Sequence, residues 1–292
     1  MAPQRSRKKE ARPRVGLALS GGAARGMAHV GVLRAFEEHG VPIDMIAGTS
    51  AGALVGGVYA AGLSIDEIEE LGRSLHWRDV GRTTISRLGI QSNARMEKLL
   101  RARLPVTRFE DLRIPFVALA TDLHSGEPVV LSGEGDLAFA IRASCCVPGW
   151  YIPVTDTQGR QLVDGGLVAN IPATYARDLG ADLVIAVDVN AEGAKFLGAP
   201  HSIIGILLQT TLVVQRTAAI YQLRAADIVV RPRVGHIRWD EMARADELMT
   251  AGYDAAIETI DEIRALLEIQ SKPASRWYQL RRYRRRVNAT RL

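Results

Sequence analysis

The sequence has only two cysteines in 292 residues, and they are neighbours, Cys145 and Cys146. Adjacent cysteines are poorly placed for a structural disulfide. The sparse usage points to a reducing compartment, and the pair is read as small packed residues rather than activated thiols. A secretory signal is missing as well: after the basic start only Val15 to Leu19 is apolar before glycines intervene. These two absences make the cytoplasm the expected location. Neither the Walker lysine pattern nor a complete Gly-x-Gly-x-x-Gly is present, and no internal repeat is visible. Acids are lacking from residues 273–292, which hold seven arginines, while residues 1–14 hold six Lys or Arg against Glu10. Removing both tails from the net charge of +5 leaves about −7 on residues 15–272. The basicity therefore belongs to the ends. With Trp277, Tyr278 and Tyr283 interleaved, such tails suit anionic lipid headgroups or nucleic acid, or simply solvated termini.

What remains is a body long enough to bury about three quarters of its unfolded surface without a disulfide or metal staple. Its longest uncharged stretch, Met45 to Ile65, has the length of a membrane span, with Gly48, Gly52 and Gly56 spaced as in packed membrane helices. Yet it begins with strand-like residues and carries five glycines, so a helix buried close to a sheet explains it better.

That stretch contains Gly48-Thr49-Ser50-Ala51-Gly52, the Gly-x-Ser-x-Gly pattern of a serine lifted off a strand end by a sharp turn. The pattern alone is common. Its setting is more specific, because Pro42, Ile43 and Ile46 suit an incoming strand and Ala51 to Ala61 a tightly packed helix. Upstream, Val15 to Leu19 reads as a buried first strand running into Ser20-Gly21-Gly22-Ala23-Ala24-Arg25-Gly26 and a helix marked by Val30, Leu33 and Phe36. A glycine-rich turn at a helix start presents unpaired N–H groups to an anion. Either a phosphate or the oxyanion of an attacked ester would use them. The βαβ spacing places both turns at the carboxyl ends of parallel strands, where open α/β sheets bind ligands.

Further along, Leu63 to Leu75 is a helix opened by the capping box of Ser64 and Glu67. Trp77 to Gln91 has no period and reads as a surface loop or a cover over the site. Asn93 to Leu104 is helical, Ile114 to Thr121 and Glu127 to Leu131 pair through Ser125-Gly126, and Asp136 to Ala143 is a helix. Val163-Asp164-Gly165-Gly166 ends another strand. Most Asp-Gly pairs are only turns, but two glycines let this carboxylate approach another backbone, and so reach Ser50. Pro172 to Leu179, Leu183 to Val189, His201 to Gln222, Asp227 to Val230 and Asp240 to Leu267 complete the chain as helix, strand, helix, strand and one or two helices.

A glycine-rich turn, a serine elbow and a later Asp-Gly-Gly fit one reaction, acyl transfer. In their order, together with Ala143-Ser144 to Pro148 and Asp182 to Asp188, these motifs resemble the bacterial patatin-like phospholipases over about Val15 to Leu267. The resemblance implies a three-layer α/β/α sandwich with a central, mostly parallel sheet over residues 15–272, between a disordered basic leader (1–14) and an Arg-rich tail (273–292). It implies a Ser50–Asp164 dyad with no catalytic histidine, acting through an acyl-enzyme. The donors to the oxyanion would come from Gly21, Gly22 and Ala23, where Ala23 stands in place of the family's usual third glycine. Gly48, Gly52, Gly165 and Gly166 would support the site, and Arg25 would order the loop, meet lipid phosphate or be a plain surface charge. No metal and no cofactor are expected. The expected partner is phospholipid or lysophospholipid at an anionic membrane, met peripherally at its inner face and helped by the tails, with no nucleic acid. From another class comes a catalytically silent regulator recruited by those same tails.

Overall fold

A computed structural model describes residues 12–192, 200 and 202–271. Most of the basic leader and the whole Arg-rich tail lie outside the described residues. The leader's last residues are tied down, Arg12 by an ion pair with Asp44 and Arg14 by its peptide N–H, which donates to Asp182.

The chain opens with strand β1 (Val15–Leu19), a 3₁₀ turn (Ala23–Met27), helix α1 (Ala28–Glu38), β2 (Met45–Thr49) and α2 (Ala51–Ala60). Then come α3 (Ile65–Ser74), α4 (Trp77–Val80), β3 (Arg82–Thr83), β4 (Gly89–Ser92), α5 (Ala94–Arg103), β5 (Phe116–Asp122), β6 (Pro128–Ser132) and α6 (Leu137–Ser144). The remainder is β7 (Gly149–Tyr151), β8 (Val154–Thr155), β9 (Gln161–Asp164), α7 (Gly166–Ala169), α8 (Ala173–Asp178), β10 (Leu183–Val187), α9 (Ile203–Gln222), β11 (Ile228–Val230), α10 (Ala245–Ile257) and α11 (Ile260–Ser271).

Eight strands form the central sheet in the order β11-β10-β1-β2-β5-β9-β8, with β6 also paired to β5. From β11 to β5 every pairing is parallel; β6, β8 and β9 join antiparallel. The strands β1, β2 and β10 are buried at every position, as a sheet covered on both faces requires. Their side chains alternate between two cores. Leu17 and Leu19 join α1, α2 and α10 on one face, while Ala18, Ala47 and Val117 meet α7 and α8 on the other. This is the expected α/β sandwich with its central, mostly parallel sheet.

The uncharged stretch from Met45 is a strand and a buried helix. A side chain at Gly52 would strike the carbonyl of Leu19, so only glycine lets α2 lie against β1 here. Among the described residues no helix is long and apolar enough to cross a membrane. The capping box of α3 is present, with Ser64 and Glu67 each satisfying the other's backbone N–H.

One segment differs from its sequence reading. Residues 77–92, expected as an irregular loop or cover, contain α4 and two strands of a second, three-stranded sheet in the order β3-β4-β7. The sequence hides this because β3 and β4 are too short to show a period, and because β4's partner in the parallel direction, β7, lies more than fifty residues away.

Candidate active site

Ser50 stands between the end of β2 and the start of α2 with φ 52° and ψ −119°. Ala23 in the glycine-rich loop has φ 50°, and these two are the only non-glycine residues of positive φ among the described residues. Backbone strain of this kind costs about 1–3 kcal/mol per residue and persists where surrounding structure enforces it. Both cases fall at neighbouring strand ends, β1 and β2.

The sheet register explains how Asp164 reaches the serine. Thr49 is level with Leu119 on β5, so Ser50 is level with Ala120, and Ala120 is paired with Asp164 on β9. The two side chains thus meet across one intervening strand. The Ser50 hydroxyl donates to Asp164 Oδ2 at 2.6 Å, and the peptide N–H of Gly166 donates to Asp164 Oδ1 at 2.8 Å. A side chain at Gly165 would collide with the carbonyl of Leu119, which is why the chain can turn so closely over β5. Burial raises the Asp164 carboxyl from 3.8 to about 6, and the bonds from Ser50 and Gly166 oppose that rise.

The elbow is braced from α6. The N–H of Ser50 donates to the hydroxyl of Ser144 at 2.9 Å, and that hydroxyl donates in turn to the carbonyl of Leu119 at 2.6 Å. The thiol of Cys145 donates to the carbonyl of Ser50 at 3.1 Å. Burial pushes both thiols up, Cys146 to about 12, so neither is a ready nucleophile.

In the glycine-rich loop, the N–H of Gly21 is already donated to the carbonyl of Asn170 at 3.1 Å. That corrects the expected donor set. Among the described residues the N–H groups of Gly22 and Ala23 find no acceptor, and both residues line the pocket over Ser50. Arg25 is not a surface charge: it is 2% exposed, and its guanidinium donates to the carbonyls of Ile237 and Gly235 and to the side chain of Asn190. It orders the loop.

The pocket above Ser50 and Asp164 is chiefly apolar, walled by Leu54, Val80, Met96, Leu208 and Leu212 and by Trp77, Trp150 and Trp239. The tryptophans form one cluster, Trp239 packing edge-on against Trp77 at 5.7 Å and Trp150 at 5.6 Å. Among the described residues no histidine hydrogen-bonds Ser50 or Asp164, and no cluster of His, Cys, Asp and Glu is placed to hold a metal ion. His29 is fully buried with Nε2–H donating to the carbonyl of Ser20 at 2.8 Å; burial holds it down at about 4, hence neutral.

The family model for patatin-like phospholipases matches residues 17–177, from β1 past Asp164. This chain belongs to the patatin-like phospholipase family. An uncharacterized NTE family protein of Mycobacterium tuberculosis is 39% identical over 218 residues, covering 73% of this chain and 59% of that protein. The lysophospholipase NTE1 of Mycosarcoma maydis is 37% identical over 185 residues, covering 61% of this chain and 10% of that protein. The match thus spans less than two thirds of these relatives' length. VipD of Legionella pneumophila superposes with a TM-score of 0.60 at 14% identity, over 86% of this chain and 67% of that one, a likeness of fold.

Within this patatin-like frame, several residues of the site carry no signal in the sequence. Ser144 sits in a motif that was visible, but nothing local announces its bond to Ser50. The three tryptophans lie far apart in the chain and meet only in the fold. Asn170 is 2% exposed, its carbonyl holds Gly21, and its Oδ1 is buried with no partner beside the pocket. An isolated Asn after a glycine turn looks the same whether or not it faces a site.

Proposed function

We propose that this patatin-like protein is a serine lipid acyl hydrolase, acting on phospholipid or lysophospholipid through a Ser50–Asp164 dyad. The observation that carries the reading is the 2.6 Å hydrogen bond from a strained, buried serine to a buried carboxylate at the floor of an apolar pocket. In the reaction, Ser50 Oγ attacks the ester carbonyl carbon as its proton passes to Asp164 Oδ2. The carbonyl oxygen becomes an oxyanion held by the free N–H groups of Gly22 and Ala23, each worth about 10²–10³ in rate in comparable sites. Collapse expels the alcohol, which takes the proton back from Asp164, and leaves the acyl group on Ser50. Water then attacks the acyl-enzyme with Asp164 again as base, releasing fatty acid. An ordinary aspartate would be a weak base for this task; one raised to about 6 is closer to the pKa that suits proton transfer near neutral pH. The apolar pocket suits the acyl chain. That a relative bears the name lysophospholipase agrees with this substrate class.

Labelling with a fluorophosphonate probe tests the reading. Wild type should react, and Ser50→Ala and Asp164→Asn should not, while both variants remain folded. A folded wild type that neither labels nor hydrolyses lipid esters would leave the silent, recruited regulator in its place.

A further inference from the structure

Helix α9 turns two unlike faces to its surroundings. Leu208, Thr211, Leu212 and Gln215 line the pocket over Ser50. Facing away, Ile206, Leu207, Val213, Val214, Ile220 and Tyr221 are 49–65% exposed. With Thr210 and Thr217 they recur at three- and four-residue spacing, an unbroken stripe about 24 Å long. The threonines do not make it polar, because Thr210 donates its hydroxyl to the carbonyl of Ile206 at 2.9 Å and Thr217 to that of Val213 at 3.1 Å. Arg216 is the helix's single charged residue.

A second apolar projection flanks the same pocket. α4 contributes Trp77 and Val80 to the lining, and β7, which pairs with β4, contributes Tyr151. Between and along β3 and β4, Ile85 is fully exposed, Leu88 57% and Ile90 41% exposed. Arg78, Arg82 and Arg87 neighbour them in the sequence, with Asp79 the only acid between residues 77 and 92. Among the described residues no carboxylate pairs with Arg82, Arg87 or Arg216. Residues 77–92 and α9 together carry a net charge of +3, which leaves about −10 on the rest of residues 15–272.

Exposed apolar surface of this extent marks an interaction site. A second copy of the chain is a poor occupant: a two-fold contact sets a patch against itself, apposing two net-positive surfaces, and a seam along α9 alone would leave the β3–β4 projection uncovered. We infer that the outer face of α9 and the apolar tip between β3 and β4 form the surface that docks on an anionic lipid bilayer, with α9 lying in the interface beside the pocket. Apolar residues flanked by arginines match the interior and headgroups of such a bilayer, and the excess of acid over the rest of residues 15–272 disfavours approach by other faces. The inference deepens the hydrolase reading by naming the face that meets the substrate's bilayer, yet its test needs no hydrolysis.

The test uses the full chain carrying Ser50→Ala, with an environment-sensitive nitrobenzoxadiazole label on Ile85→Cys, Val213→Cys or, as control, Asp261→Cys on α11, which lines no part of the pocket. The two native cysteines are buried. Mixed phosphatidylcholine–phosphatidylglycerol vesicles should blue-shift the emission at positions 85 and 213 and leave 261 unchanged. In the Ser50 protein, Ile85→Asp with Val213→Asp and Ile220→Asp should weaken vesicle binding at least about tenfold and leave hydrolysis of a soluble short-chain ester intact. Unshifted labels at 85 and 213 would overturn the inference even if the basic tails carry the protein to vesicles. So would a dimer that the triple variant splits while vesicle binding persists. Shifted labels, with a Ser50 protein that neither reacts with the fluorophosphonate nor hydrolyses esters, would sink the catalytic reading and leave the docking surface standing.

Discussion

The floor and the roof of the pocket are built from different physics. At the floor, Ser50 and Asp164 stand on the ends of buried strands and are held by hydrogen bonds: Ser144 and Cys145 for the elbow's backbone, Gly166 for the carboxylate, Thr121 for the carbonyl of Asp164. At the roof, α4, α9, the small sheet and three tryptophans meet through apolar contact, with much of their outer surface facing water. Hydrogen bonds fix geometry to a fraction of an ångström, whereas apolar packing tolerates exchange of shape. The acyl transfer proposed for this site would use such a division, an oriented proton transfer below and a pliant acyl chain above.

The contrast can be broken most severely at Asp164. Asp164→Asn should lower kcat by about 10³ or more, since the base is gone while the shape remains, as measured by steady-state ester hydrolysis. The same variant should gain stability at neutral pH. Because burial lifts Asp164 to about 6, the native state holds that proton more tightly than the unfolded chain does, so this group's stability is complete below about pH 4 and is lost as pH rises through 6. Asparagine avoids the loss, at most about 3 kcal/mol, which denaturant titrations across pH would reveal. In wild type, kcat should fall on acidification with a midpoint near that carboxyl's value.

Next in size is the brace. Ser144→Ala leaves the N–H of Ser50 and the carbonyl of Leu119 without their shared partner. It should cost about 1–3 kcal/mol in stability and about 10–100-fold in kcat with KM little changed, the separation showing that it positions rather than binds. Ser144→Thr should recover part of both.

At the roof a smaller effect of another kind is expected. Trp239→Leu removes the ring that packs against both Trp77 and Trp150. KM for long-chain esters should rise several-fold, as a few lost apolar contacts worth about 1–2 kcal/mol would dictate, while short-chain turnover stays near wild type. A kcat loss as large as that of Ser144→Ala would erase the distinction between floor and roof.

The same division governs what the sequence discloses. The floor is legible because close approach demands particular residues at fixed spacing: Gly52 under the carbonyl of Leu19, Gly165 over that of Leu119. Even there, the N–H of Gly21 could not be recognised as already spent, since its acceptor, Asn170, comes far later in the chain. Arg25 looked equally at home on a surface, because only the fold brings Gly235 and Ile237 around it. The parallel strands were readable from buried apolar runs, and the capped α3 from its two polar residues. The roof was not, since apolar contact accepts many residue types and leaves no motif; β3 and β4 are short, and their place depends on a distant partner.

Ser50 and Asp164 lie 114 positions apart and face each other only when β9 has paired with β5. During synthesis from the N-terminus, the elbow is made long before the residue that would arm it. A ribosome-bound chain that ends before residue 161 would hold the serine without its carboxylate partner, so the pair arrives late and all at once rather than growing with the nascent chain. The same separation means that a protease cut anywhere between the two that loosens β9 would part the pair without touching either residue.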